Sequence, residues 1–443
     1  MDCIRNMAAP RHAMPDYEKL SAAFTEYVFD PTNGVRHDGP FTYFNAYSAG
    51  KGNELVTWGL LAVGEALFPS SKGREINWNA LEHFFNAKYG IYTNSPNDTR
   101  SEFWYLMYVN TLAGAVYRKC HPNEAFAKER MLSSAKVLHK LAKSIGYDFD
   151  SQGYDFEKNA PWTNKDIYRQ PDSIGGYAYN MLFAGIHGGM QEYIGEAKKA
   201  IGLYSAFERN PWYEIPNGAT AFLAAAWLRA IGEEVDLEKI LGFVFDPIRG
   251  PLQTGDWNGR PVDGLMMGWR GDDRKSAQSS AYSMETLMPL PFLLPAVHYA
   301  PEFAETIAWH ALHALTNFEL FYGKGMYETR PDLSDAVPYE KLVEELDGHS
   351  PAACGDFHGH RSVYGGGYMP WMAAIARPTG HVDMPALDIG ITNFLEPSPK
   401  PAFLLYNKDM QARKAVFSPA GVWGISDPVT VEVPPKKAIV VKL

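Results

Sequence analysis

Residues 210–231 read NPWYEIPNGATAFLAAAWLRAI. A turn of aromatic and polar residues runs through Pro216 into a helix, 219–231, that is apolar around nearly its whole circumference. A helix of that kind has to be buried on every side. The same order recurs along the chain. A helix over 102–118, with FWYLMYVNTLAGAVY at its centre, is followed by an amphipathic helix over 124–145. An apolar helix at 176–187 precedes a more polar one at 190–206, and 219–231 precedes a short helix at 236–243. Apolar spacing predicts further helices at 16–27, 53–67, 77–89, 279–290, 300–319 and 361–377. No period matches a solenoid repeat. Alternation of fully buried and half-buried helices over most of the chain predicts an all-α fold, an α/α barrel of concentric helices.

The end of the chain changes character. AFLLYN at 402–407, KAVFS at 414–418, TVEV at 430–433 and AIVVKL at 438–443 are short β-prone runs separated by proline and glycine. They predict a small C-terminal β appendage. The expected division is a barrel over 1–398 and a β-rich segment over 399–443.

Composition narrows the function. The chain has 443 residues, with 41 Lys and Arg against 51 Asp and Glu, a net charge of −10. No run of Lys and Arg supplies the concentrated positive footprint that phosphate binding needs, so a nucleic-acid partner is not expected. Cys3, Cys120 and Cys354 are scattered and odd in number, which argues against a disulfide scaffold or a four-cysteine zinc site. The longest apolar runs, such as LMPLPFLLP at 287–295, are broken by proline and fall short of the roughly 20 residues of a transmembrane helix. The opening MDCIRNMAAPRHAMPDYEKL lacks the apolar stretch of a signal peptide. A cytoplasmic location follows as the expectation, with a small organic molecule as partner. A homo-oligomer is compatible with this composition.

In such a barrel the loops feeding the inner helices converge on one mouth. Those loops are YFNAY at 43–47, NSPNDT at 94–99, WTNKDIYRQPDS at 162–173, NPWYEIPN at 210–217, QTGDWNGR at 253–260, MGWRGDDR at 267–274 and DFHGHRSVYGGGY at 356–368. Tyr and Trp offer rigid apolar surface with one polar handle, which suits a cyclic or polyoxygenated ligand. They also cement long loops. The candidate substrate contacts are Tyr43, Tyr47, Asp98, Tyr105, Trp162, Tyr177, Trp212, Asn217, Trp257, Trp269, His360 and Tyr368. The candidate catalytic residues are His358, Glu214, Asp356, Asp172 and Tyr108. A histidine exchanges protons near neutrality. A carboxyl such as Glu214, set among aromatics, has its pKa raised if it is buried. Asp172 stands at a helix entrance, where a cap is the plain alternative. His358 and His360, two apart, could face one way with Asp356. No further metal ligands are marked, so no metal is expected. The glycines 365–367 are not a dinucleotide fingerprint, and no P-loop, G-x-S-x-G or H-E-x-x-H occurs, so no cofactor is expected.

Two stretches carry a resemblance. Residues 82–118, with NDT leading into WYLMYVNTLAGAVY, and the stretch ERNPWYEIPNGATAFLAAAWLRAIG, followed by DLEK and FDPIRG, resemble the linalool dehydratase/isomerase-like family. The resemblance implies an α/α barrel and metal-free acid–base chemistry. The family's pocket depends on cysteines, whereas the loop at 210–218 carries Glu214 and Asn217 and no cysteine. Tyr108 stands where the family's catalytic histidine would fall. The expected activity is that of a metal-independent acid–base lyase, isomerase or cyclase. It would carry out hydration, dehydration or double-bond chemistry on a small, partly apolar, terpene- or polyketide-like molecule of specialised metabolism. The alternatives are a carbohydrate-active glycosidase or polysaccharide lyase, and a non-catalytic binding protein on the same scaffold.

Overall fold

The computed structural model describes residues 1–10, 13–29, 35–38, 41–44, 54–69, 78–257, 260–261, 263–268, 283–317 and 366–443. The helices are α1 (Asp2–Arg5), α2 (Tyr17–Val28), α3 (Leu55–Leu67), α4 (Phe103–Cys120), α5 (Ala125–Ser144), α6 (Ser173–Gly188), α7 (Gln191–Ala206), α8 (Ile215–Ala230), α9 (Leu237–Val244), α10 (Ser283–Leu287), α11 (Leu290–Ala296), α12 (Ala304–Thr316) and α13 (Met369–Ile375). The strands are β1 (Val35–Asp38), β2 (Phe41–Phe44), β3 (Phe85–Asn86), β4 (Ile91–Tyr92), β5 (Arg100–Glu102), β6 (Gly153–Asp155), β7 (Ala160–Trp162), β8 (Asp256–Trp257), β9 (Arg260–Pro261), β10 (Ala376–Arg377), β11 (Ala386–Asp388), β12 (Ala402–Asn407), β13 (Arg413–Phe417), β14 (Val429–Val433) and β15 (Lys437–Lys442).

Two helical layers form as the sequence predicts. α3, α4, α6, α8, α11 and α13 are buried on nearly all sides. They pack in succession, α3 on α4, α4 on α6, α6 on α8 and α8 on α11, and α13 extends the ring at α3. α5, α7 and α9 bury one stripe each and lie outside. The fold is an α/α toroid with small C-terminal β sheets. Close approach of the inner helices depends on small residues. A Cβ at Gly176 of α6 would lie 2.5 Å from Asn217 Oδ1 of α8 and 2.7 Å from Met107 Cβ of α4.

Several elements differ from the sequence expectation, each for a local reason. The helix expected at 77–89 is a 3-10 turn, Trp78–Phe84, because the chain then enters the β3–β4 hairpin through Gly90 at φ +76°. The helix expected from 102 begins at Phe103, with Glu102 in the cap position, because Ser101 pairs with Tyr154 in β5–β6. The loop expected at 162–173 begins inside β7, which joins β6 and β5 in a three-stranded sheet. The helix expected at 279–290 is divided at Pro289 into α10 and α11, since proline removes a main-chain donor.

The sheet β10–β11–β12–β15 is antiparallel and begins at Ala376, ahead of residue 399. In β12 the side chains alternate between two cores. Ala402 and Leu404 join the helical core, while Phe403 and Leu405 face Phe417 and Val433 of the β13–β14 hairpin. No described helix is long and apolar enough to cross a membrane.

Candidate functional site

A carboxylate stands immediately before each of four consecutive inner helices: Glu54 before α3, Glu102 before α4, Asp172 before α6 and Glu214 before α8. The N-terminus of a helix favours negative charge. The free N–H groups there are satisfied mostly across the ring, by the neighbouring loops. Asn94 accepts from Leu55 N at 2.8 Å through its main-chain oxygen and from Val56 N at 3.2 Å through Oδ1. Gln170 Oε1 accepts from Trp104 N at 2.8 Å. Asp172 Oδ2 accepts from Tyr213 N at 2.9 Å and Glu214 N at 3.0 Å. Gln152 and Gln170 both donate to the Glu102 carboxylate, at 2.9 and 3.0 Å. These bonds bring loops 94–99, 162–173 and 210–217 to one end of the toroid, where the entrances of α3, α4, α6 and α8 lie side by side.

Within this end the carboxyl groups differ in electrostatics. Burial, reinforced by the charge of Asp98, pushes Glu54 up to about 7. Asp98 is itself raised by burial, against a lowering hydrogen bond from Ser95 N. Two neighbouring carboxyls of which one holds its proton near neutrality supply an acid and a base at the same pH.

Deeper along the inner helices, the hydroxyl of Tyr108 meets the hydroxyl of Tyr368. Both rings are fully buried, and burial drives both hydroxyls above the ordinary tyrosine range. Glu285 of α10, completely buried, adds its charge to both shifts. Trp104 and Tyr105 lie 3.8 Å apart between centroids with their planes tilted by 33°, and Trp104 stacks on the Tyr108 ring at 6.4 Å. Tyr108, Tyr368 and Glu285 come from α4, the residue preceding α13, and α10, so three separate elements contribute to this point.

The remaining expected site residues divide by location. Glu214 is buried, and its carboxylate accepts from Ile215 N at 3.4 Å. Asn217 donates to Ser173 Oγ at 3.3 Å, joining α8 to α6. Trp212 is buried beside them. Trp162 sits under the Arg100 guanidinium at 3.5 Å, on the sheet that leads into α4. Tyr177 points away from the axis: its hydroxyl donates to Glu196 of α7 at 3.1 Å, because its position on α6 faces the outer layer. Tyr43 and Trp257 lie on β2 and β8, with their side chains outside the described part of the structure. Tyr47, Trp269, Asp356, His358 and His360 lie outside the described residues. Glu54, Glu102 and Glu285 are not among the expected site residues. For Glu54 and Glu102 a signal was present, a lone acidic residue directly ahead of an apolar helix. Among the described residues no group of three His, Cys, Asp or Glu side chains gathers as metal ligands do.

No family model matches the chain, and no curated protein matches it. Solved structures similar to it include a family 76 glycoside hydrolase from a bovine Bacteroides thetaiotaomicron strain, 12% identical over 81% of this chain and 78% of that one, with a TM-score of 0.44. A sugar epimerase from a ruminal bacterium is 11% identical over 80% of this chain and 97% of that one, with a TM-score of 0.48. A cellobiose 2-epimerase from Spirochaeta thermophila is 9% identical over 80% and 94% of the two chains, with a TM-score of 0.43. No residue is assigned from these likenesses. The helical barrel implied by the resemblance to the linalool dehydratase/isomerase-like family is present, and none of these three structures is of that family.

Proposed function

We propose that the protein is an enzyme of acid–base chemistry acting on a neutral, polyhydroxylated, carbohydrate-like substrate at the entrances of the inner helices. The observation that carries this reading is the pair Glu54 and Asp98, in which burial and a neighbouring carboxyl keep Glu54 protonated to about pH 7. A protonated Glu54 can give a proton to a glycosidic or ring oxygen while an ionised carboxylate nearby receives one or stabilises the developing cation. Glu102, Asp172, Glu214, Gln152, Gln170 and Asn217, bonded to one another and to main-chain groups, brace these entrances. Trp104 and Tyr105 offer the apolar aromatic surface that a sugar ring covers. Hydrolysis and epimerisation both fall within this chemistry.

The test is incubation of the protein with a panel of neutral oligosaccharides. Reducing-end release is followed alongside epimer formation by proton NMR, for wild type and Glu54→Gln. Turnover of at least one sugar that falls about 100-fold or more in the variant is the expected result. Turnover unchanged in Glu54→Gln removes the assignment.

A second reading, a lyase or isomerase acting on a small, partly apolar alcohol, is favoured by one feature: the aromatic lining around Tyr108 and Tyr368. Aromatic faces stabilise cationic charge. The same assay with a terpene alcohol in place of the sugars distinguishes the two, since only this reading expects loss or migration of water from that substrate.

A further inference from the structure

α12 carries Thr306, His310 and His313 at i, i+4 and i+7, along one stripe of the helix. The first ten residues lie over that stripe. Arg5 Nε donates to Thr306 Oγ1 at 3.1 Å, and His313 hydrogen-bonds the main chain at Ala8. His310 therefore sits between the two attachments. It is 0% exposed, its ring is 4.8 Å from that of Phe245, and neither ring nitrogen has a hydrogen-bond partner. The arm is held at two more points: Cys3 Sγ donates to Phe245 O at 3.2 Å, and Lys408 Nζ, resting over the Trp309 ring, donates to Met7 O at 3.2 Å. Ile4 and Met7 are buried beneath it.

We propose that residues 1–10 form an acid-released clasp, seated on α12 while His310 and His313 are neutral and lifted when the two rings take up protons. Burying a neutral imidazole costs little, whereas burying an unpaired imidazolium costs a great deal. Few groups around the pair offset that cost. The other titratable group acting on His310 is His313, which opposes its protonation. His313 is lowered first by burial; the charge of Asp263 and the main-chain hydrogen bonds at Asp263 and Ala8 favour a proton, and Lys408 opposes one. The arm itself brings Asp2, the Cys3 thiol and the cation of Arg5. Burial holds His310 at about 3 and His313 at about 4. An exposed imidazole protonates near its ordinary value of 6.5. The advantage of the seated arm is thus complete above pH 6.5 and is lost as the pH falls toward those lower values. For His310 alone the linkage favours the lifted state by about 30-fold at pH 5 relative to pH 7.5.

Hydrogen exchange of the full chain tests this, read at the Asn6 and Met7 amides, which bond Asp2 O and Ile4 O. After correction for intrinsic exchange, protection of these amides is expected to fall about 30-fold or more between pH 7.5 and pH 5, with the interior amides of α6 unchanged. His310→Leu is expected to remove about 30-fold from that response. Equal protection at the two pH values overturns the proposal. So does parallel loss in α6, which would mean general acid unfolding, and so does an undiminished response in His310→Leu. Wild-type exchange decides the matter even if leucine is not accepted at position 310.

Discussion

Asp172 Oδ2 accepts hydrogen bonds from the main-chain N–H groups of Tyr213 and Glu214 at 2.9 and 3.0 Å, so the residue that opens α6 also caps the approach to α8. Glu214 in turn caps α8 by accepting from Ile215 N. The two acidic residues are thus consecutive members of one chain of caps around the mouth. In α6 itself it is the main-chain oxygen of Asp172 that accepts, from Gly175 N at 2.8 Å.

Asp172→Ala leaves two buried N–H groups without their acceptor. The expected loss is about 2–4 kcal/mol, read as a lower urea midpoint. Asp172→Asn keeps one acceptor oxygen and should lose less. A midpoint unchanged in Asp172→Ala would show that the brace adds no stability.

Glu54→Gln removes the near-neutral carboxyl. Its folded-state pKa, about 7, is raised from the ordinary 4.5, so its contribution to stability is complete below 4.5 and is lost as the pH rises through 7. The variant should show a flatter stability profile between pH 4.5 and 7 in denaturation series. If Glu54 is the acid, wild-type turnover falls as the pH rises through 7, and that limb is absent from the residual activity of the variant.

Tyr368→Phe deletes one of two facing buried hydroxyls. A stability cost of about 1 kcal/mol is expected by denaturant titration. Because burial drives both hydroxyls upward, neither forms a phenolate in the working range. Spectrophotometric titration should therefore give the same number of tyrosines ionising near pH 10 in wild type and in Tyr368→Phe.

Gly176→Ala places a methyl against Asn217 Oδ1 and Met107 Cβ at 2.5 and 2.7 Å. α6 cannot withdraw without opening its contacts to both α4 and α8. A loss of about 2–3 kcal/mol is expected, measurable as a lower melting temperature. Gly195→Ala, on the outer helix α7 with open space around it, is the matched control and should be neutral or slightly stabilising.

Among the loops expected at the mouth, 162–173 and 210–217 meet through the hydrogen bonds of Asp172, and 94–99 closes the entrance of α3 through Asn94. The aromatic richness of these loops is visible in the sequence, but not which way each ring faces. Tyr177 and Tyr179 lie two apart on α6: the first bonds Glu196 in the outer layer, and the second packs edge-on against Phe292 of α11 at 5.7 Å. Helical periodicity places them on different faces, yet it does not say which face is the inner one.

The sequence by itself determined the alternation of buried and half-buried helices and the β character of the C-terminal runs, because both follow from local spacing of apolar side chains. Only the tertiary structure decided which carboxyls are chemically distinctive. Glu54 is shifted by burial and by Asp98, which arrives from another loop, and the Tyr108–Tyr368 contact joins residues 260 positions apart. Desolvation and charge act through space, and a pattern read along the chain carries no measure of that distance.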